Sequence, residues 1–431
     1  MTAPSSALLT DHYELTMLQA ALATGHATRP CVFEAFARRL PSGRRYGVLA
    51  GTGRILESLE HFRFAEDEIE FLAQTDVVNQ QTLDYLASYR FNGNIWGYAE
   101  GECYFPGSPL MVVEATFAEG VILETMILSI LNYDSAVASA ASRMASAAEG
   151  RPCVEMGSRR THEQSAVAAA RAAYIAGFTS TSNLEAGRRH GVPTLGTAAH
   201  SFTLLHDDER AAFVSQLTSL GTDTTLLVDT YDIPAGVNLA VELAGTSLGA
   251  VRLDSGDLVS GAREVRKQLD DLGATGTRIV VTSDLDEYAI AALQAAPVDV
   301  YGVGTKVVTG SGAPAAGMVY KLVARANDAG QMEDVAKISR DKKSVGGRKY
   351  ALRRRNSTGV AQEEVIGIGQ VPADDGDDRD LLVQLMRDGQ VTVPTDAHTA
   401  RERHAASLAE LPTRALRMSE GDPALPTIYL D

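Results

Sequence analysis

Between Cys153 and Gly304 the chain repeats one pattern: a short apolar run, a polar end, then residues at helical spacing. The runs are CVEM (153–156), FTST (178–181), TLGTAA (194–199), TTLLVDT (224–230), GAVRL (249–253), RIVVTS (278–283) and VDVYGVG (298–304). Most are separated from the next by segments such as HEQSAVAAARAAYIAG, DDERAAFVSQLTSLG and GDLVSGAREVRKQLDDLG, whose apolar positions recur at i, i+3 and i+4. Strands alternating with helices predict a parallel sheet, because each crossover helix returns the chain to the same edge direction. About seven βα units in so few residues predict an irregular TIM-like α/β barrel. The first run is not followed by GxGxxG, which argues against a dinucleotide-binding sheet.

The flanks read differently. DHYELTMLQAALATG predicts a helix ending at Gly25, and CVFEAFARRLP a strand up to Pro41. NIWGYAEGECYFPGSPLMVVEATF predicts antiparallel strands turning at Glu100-Gly101 and Pro106-Gly107, followed by a long helical segment rich in Ala, Ser and Leu. After Gly317, MVYKLVARAND and GRKYALRRRNS predict a hairpin carrying the basic stretch 337–349, and TARERHAASLAELP a late helix. The expected organisation is an N-terminal α+β domain (1–120), a barrel (121–317) and a C-terminal segment (318–431) completing the first, so that the α+β domain is split around the barrel.

Composition narrows the class. Fifty-five acidic against 39 basic residues give a formal charge of −16, which repels nucleic acid and anionic membrane. Cys31, Cys103 and Cys153 form no CxxC pair, so neither a disulfide framework nor a cysteine zinc site is expected. No signal-like N-terminus or spanning apolar run is read, and the expected setting is the cytoplasm. With so acidic a field, an anionic substrate needs local arginines.

The polar strand ends supply them. In order they carry Gly157-Ser158-Arg159-Arg160, Ser180 to Asn183, His200-Ser201, Asp229, Thr230 and Asp232, Arg252, Asp254 and Asp257, Thr282 to Asp284, and Gly302, Gly304, Thr305 and Lys306. Any one Ser, Thr, Asp or Asn here is better read as a helix cap. Arginines in GSRR and VRLD are not caps, and two at one sheet mouth imply an anion between them. Gly302, Gly304 and Thr305 suit either a phosphate cradle or a plain turn, and Asp254 and Asp284 suit ribose hydroxyls or magnesium. A Ser–His hydrolase on His200 and Ser201 fails if both lie on one strand, since neighbours point to opposite faces. Lys306 leaves a Schiff-base aldolase open.

The ordered set GSRRTH, TSTSNLEAG, GTAAHSF, VRLDSGDL and VYGVGTKVVT, with LLTDHYELTM before it and GMVYKLV after it, resembles the nicotinate phosphoribosyltransferase family. The resemblance implies formation of nicotinate mononucleotide and pyrophosphate from nicotinate and phosphoribosyl pyrophosphate in NAD salvage, with magnesium as cofactor and ATP as co-substrate. It implies that His200 is phosphorylated by ATP, with Arg252 and Asp254 serving the sugar pyrophosphate beside it. Nicotinate would contact Arg159, Ser182, Arg252, and Met156 in place of the usual aromatic residue. Tyr13 would reach the ring from a partner subunit, so a homodimer with shared active sites is implied. Ser283, Asp284, Gly302, Gly304 and Thr305 would surround the ribose and its 5′-phosphate. The related nicotinamide-using enzyme carries aspartate where Ser182 stands, and a carboxylate there would repel nicotinate. Nicotinamide phosphoribosyltransferase and a non-catalytic ligand-binding relative are the alternatives. Some family members add a cysteine zinc module, for which this chain lacks the cysteines, and the basic 337–349 hairpin is expected to be a solvated face.

Overall fold

Of the seven apolar runs, six become paired strands of one parallel sheet. The computed structural model describes residues 5–337 and 344–430. The sheet order is Ser180–Thr181, Cys153–Glu155, Val300–Val303, Arg278–Ser283, Ala250–Leu253, Thr225–Leu227. Registers such as Val303 opposite Glu155, Thr282 opposite Gly302 and Val280 opposite Arg252 bring the polar ends of different strands to one edge. Helices Glu163–Ile175, Glu209–Leu220, Ile233–Ala244 and Leu258–Asp271 alternate with them.

The third run departs from expectation. TLGTAA contributes a single parallel bridge, Thr194 to Thr181, and Leu195 and Gly196 are exposed. Gly196 and the alanines have little side chain to bury, so nothing offsets the entropy of ordering a strand there. Among the described residues no strand pairing joins this edge to Thr225–Leu227, and the hydrogen-bonded sheet is open rather than a closed barrel.

This sheet belongs to a compact unit, Ala140–Gly312, and Met1–Ser139 with Ala313–Asp431 forms the other. The second unit is built on a seven-stranded sheet in which Pro30–Ala37 lies between Met318–Ala326 and Met111–Thr116, antiparallel to both. Chain ends far apart in sequence are thus joined by backbone hydrogen bonds. GRKYALRRRNS does not pair with MVYKLVARAND: Lys349–Arg355 lies in a separate four-stranded sheet beside Ala361–Ile368. Nor are the basic residues at its start a solvated face. Lys349 is buried against Glu34 at 2.8 Å, and Arg348 pairs with Glu114 at 2.9 Å. Residues 338–343 of that stretch lie outside the described residues. Arg353 is fully buried between Glu102 and Glu364, each at 2.7 Å.

One helical stretch, Phe117–Ala147, is long and apolar enough to cross a membrane, contrary to the reading of the sequence. Its most apolar window is 61% buried within the protein, as the small residues of SAVASAAS suit a core helix. Cys31, Cys103 and Cys153 are free and buried, and burial pushes each thiol well above its ordinary pKa.

Candidate functional site

The polar strand ends separate into caps and non-caps. Asn183, Asp232, Asp257 and Asp286 each accept backbone N–H groups at the start of the following helix. For them the capping account is sufficient. Asp229 and Asp254 cap nothing among the described residues; they turn toward His200.

His200 does not end a strand. It opens the helix His200–Leu205, with Ala199 as its uncapped N-terminal neighbour. The hydrolase objection drawn from strand geometry therefore falls away, and a different one replaces it. The Nδ1 of His200 lies 3.2 Å from Thr230 Oγ1, and Ser201 is exposed. On the other side of the ring, Nε2 is 3.8 Å from Asp229 Oδ1 and 3.8 Å from Asp254 Oδ2. The imidazole is 40% exposed and so open to a ligand, whereas the Asp229 side chain is 1% exposed.

Asp229 also fixes its neighbours. Its Oδ2 accepts Asp254 N–H and the Ser255 hydroxyl, both at 2.8 Å, while its buried Oδ1 accepts no hydrogen bond. The other Asp254 oxygen, Oδ1, accepts the Thr282 hydroxyl. Three adjacent strands thus hold one pair of carboxylates beside one imidazole. Arg252 is held by Thr197 Oγ1 at 2.8 Å, from the GTAAHSF segment, and its buried Nε is unpartnered. Burial lowers the Arg252 pKa, Asp254 and Asp229 oppose that, and the Arg159 charge adds to it. The two arginines are therefore near enough to repel, as expected of residues sharing an anion.

The remaining expected residues fall in three places. Arg159, Ser182, Ser283 and Asp284 are exposed at the strand ends, with Thr305 partly so. Met156 and Gly302 pack on each other: a Cβ at Gly302 would lie 2.8 Å from Met156 Sδ and collide with Thr282 Cγ2. Packing alone thus requires glycine at 302, and the methionine covers it. Gly304 precedes the short helix Thr305–Val308 and has room for a Cβ. Tyr13 belongs to the other unit, 44% exposed on helix His12–Ala23. Burial, with Glu124 and Glu14 adding, pushes its hydroxyl up to about 12. Roles for Thr197, Asp229, Thr230 and Thr282 are not assigned by the sequence; the last three are signalled only as polar residues at strand ends, and Thr197, inside TLGTAA, carries no signal.

The chemistry of the donor set suits hard cations. Asp254 and Asp284 present carboxylates at the strand ends, and Asp229, bonded to Asp254 N–H, has an orphaned buried oxygen, Oδ1. The one group of three close acidic ligands among the described residues, Asp374, Asp375 and Asp378, is in the other unit. An ion at the strand ends would therefore need ligands from outside the chain to complete its shell.

Residues 8–132 match the family model described as nicotinate phosphoribosyltransferase (NAPRTase) N-terminal domain. A nicotinate phosphoribosyltransferase of Mycobacterium tuberculosis, pncB1, is 57% identical, covering 97% of this chain and 94% of its own. The Bacillus subtilis nicotinate phosphoribosyltransferase is 38% identical over 82% of this chain and 74% of its own. The crystal structure of human nicotinic acid phosphoribosyltransferase superposes with a TM-score of 0.83, at 27% identity, over 97% of both chains. At that identity and coverage, the chain belongs to the nicotinate phosphoribosyltransferase family.

Proposed function

We propose that the chain joins nicotinate to phosphoribosyl pyrophosphate, releasing nicotinate mononucleotide and pyrophosphate, in NAD salvage. The observation that carries this reading is the near full-length, 57% identity to the M. tuberculosis enzyme. The arrangement of His200, Arg252, Asp229 and Asp254 is consistent with it.

In the proposed reaction the nicotinate nitrogen displaces pyrophosphate from C1 of the sugar through an oxocarbenium-like transition state. The protein contributes chiefly position and charge. Arg159 and Ser182 receive the pyridine carboxylate, and Arg252 holds the anionic groups converging on the strand ends. Asp254, Ser283, Asp284, Gly304 and Thr305 face the ribose and its phosphate, with Gly302 as the packed floor beneath them. Magnesium, held by Asp254 and Asp284 together with the substrate, would neutralise the departing pyrophosphate. The exposed ends of an irregular, barrel-like parallel sheet suit such loop-built chemistry.

We further propose ATP coupling through His200. With Thr230 accepting the Nδ1 proton, Nε2 keeps its lone pair and attacks the γ-phosphorus of ATP, and ADP departs. Water later cleaves the phosphohistidine, releasing phosphate. The active unit is a homodimer in which Tyr13 of one subunit reaches the pyridine ring of the other; the compartment is the cytoplasm.

The test is direct. Protein given nicotinate, phosphoribosyl pyrophosphate, magnesium and ATP should release pyrophosphate and form nicotinate mononucleotide, with ADP accumulating alongside. Turnover of nicotinamide but not nicotinate would move the assignment to the sister activity, and no turnover of either would leave a binding protein. Borohydride trapping of a substrate on Lys306 would instead establish the aldolase reading.

A further inference from the structure

Glu155 ends the first strand of the parallel sheet with none of its surface exposed. Its Oε1 accepts Gly157 N–H, its Oε2 accepts the Thr181 hydroxyl at 2.5 Å, and its backbone carbonyl accepts Ser182 N–H at 2.8 Å. Thr181 Oγ1 in turn accepts Asn183 N–H at 3.0 Å, and Asn183 Nδ2 donates to Ser158 Oγ at 3.0 Å. The circuit closes through the peptide joining Ser158 to Gly157. It encloses the two segments that carry Arg159 and Ser182.

No ion pair reaches this carboxylate among the described residues, although an unpaired buried charge is costly. Burial raises its pKa, opposed by the Thr181 and Gly157 hydrogen bonds. Both carboxylate oxygens are occupied by these contacts, one from each segment. Thr181 Oγ1 joins the two segments, reaching Glu155 Oε2 while accepting Asn183 N–H. There is no slack either: a Cβ on Gly157 would collide with Val308 and approach Glu155 Oε1 to 2.9 Å.

We propose that Glu155 is a positioning residue of the nicotinate pocket, fixing the spacing between Arg159 and Ser182 by gathering both of their segments onto one buried carboxylate. This rests on the functional reading above, which makes Arg159 and Ser182 the contacts of the pyridine carboxylate. The sugar-pyrophosphate side is tied separately, through Asp229, Asp254 and Thr282.

The experiment compares Glu155→Gln, Thr181→Val and Thr181→Ser in steady-state kinetics against both substrates. Glu155→Gln keeps the volume but turns one acceptor into a donor, and Thr181→Val deletes the hydroxyl at constant shape. Both should raise the KM for nicotinate about tenfold while the KM for phosphoribosyl pyrophosphate and kcat stay within about twofold. Thr181→Ser, which retains the hydroxyl, should behave as wild type. If Glu155→Gln does not fold, Thr181→Val carries the comparison. Equal effects on both substrates, or a lowered Tm with unchanged KM, would reduce Glu155 to a structural residue and overturn the inference alone. A wild-type protein inert toward nicotinate would overturn the functional reading, and the inference with it.

Discussion

His200 and Asp229 face each other across 3.8 Å, the ring 40% exposed and the carboxylate buried. The carboxylate is held by Asp254 N–H and Ser255, so it cannot rotate away when the ring takes or loses charge. Asp229→Asn keeps the hydrogen-bonding shape and removes the charge. At 3.8 Å the pair interacts through charge and not through a hydrogen bond, and with the ring 40% exposed that is worth up to about 1 kcal/mol, so phosphorylation of His200 should slow by up to about fivefold. Transfer of γ-labelled phosphate from ATP measures it, with His200→Ala as the zero. Labelling of Asp229→Asn at the wild-type rate would show that the pair has no part in the step.

Ser182 is exposed at the end of the second strand, and its N–H is fixed on Glu155. Ser182→Asp places a carboxylate in line with the carboxylate of nicotinate. Like-charge juxtaposition in a binding site costs enough to raise the KM for nicotinate about tenfold or more, and the neutral amide of nicotinamide should gain relative to it. Competition between the two ligands for the variant reads the ratio. An unchanged ratio would mean that the ring binds elsewhere.

Gly302 shows where the sequence was silent. From VYGVG alone, a phosphate cradle and a turn were equally good readings. The register places Gly302 beside Thr282, and Met156 lies over it, which makes the absent side chain a packing requirement. Gly302→Ala should therefore cost about 1–3 kcal/mol as an overpacked core position, visible as a lowered Tm even without ligand. Gly304→Ala, whose Cβ meets no close contact, should report on phosphate binding through the KM for phosphoribosyl pyrophosphate. A Gly302→Ala protein of wild-type Tm with a raised KM would restore the cradle.

The same contrast holds across the molecule. TTLLVDT and RIVVTS were legible because β-branched runs bounded by polar residues have one good conformation in a parallel sheet. TLGTAA reads as an apolar run but makes only one bridge, because Gly196 and the alanines are too small to hold a strand. His200 and Arg252 were visible as residue types out of place at strand ends. Thr230 and Thr282 are not assigned by the sequence, since their meaning comes from which strands are neighbours, and Thr197 meets Arg252 from a loop that local sequence does not place. The cost of burying Lys349 and Arg353 was likewise hidden, because their partners Glu34, Glu102 and Glu364 lie on distant segments.

His404, in the late helix Ala397–Glu410, gives the stability of the split unit a pH dependence. It is buried at 3% exposure, with Nδ1 3.2 Å from the Gly101 carbonyl. Burial pulls its pKa from 6.5 down to about 4, against smaller opposing contributions from Gly101 and Glu102. A histidine whose folded pKa is depressed is neutral in both states above 6.5, where it has no pH-dependent effect. Below 6.5 the unfolded chain takes up the proton first, so stability falls as pH drops. The loss is complete once the folded form is also protonated, below about 4, and approaches about 3 kcal/mol. His404→Gln keeps a donor for the Gly101 carbonyl and cannot titrate. Denaturant unfolding of both proteins between pH 7 and pH 4.5 should give curves that converge toward acid, with the variant gaining on the wild type. Parallel curves would mean that His404 is charged, or solvated, in the folded state.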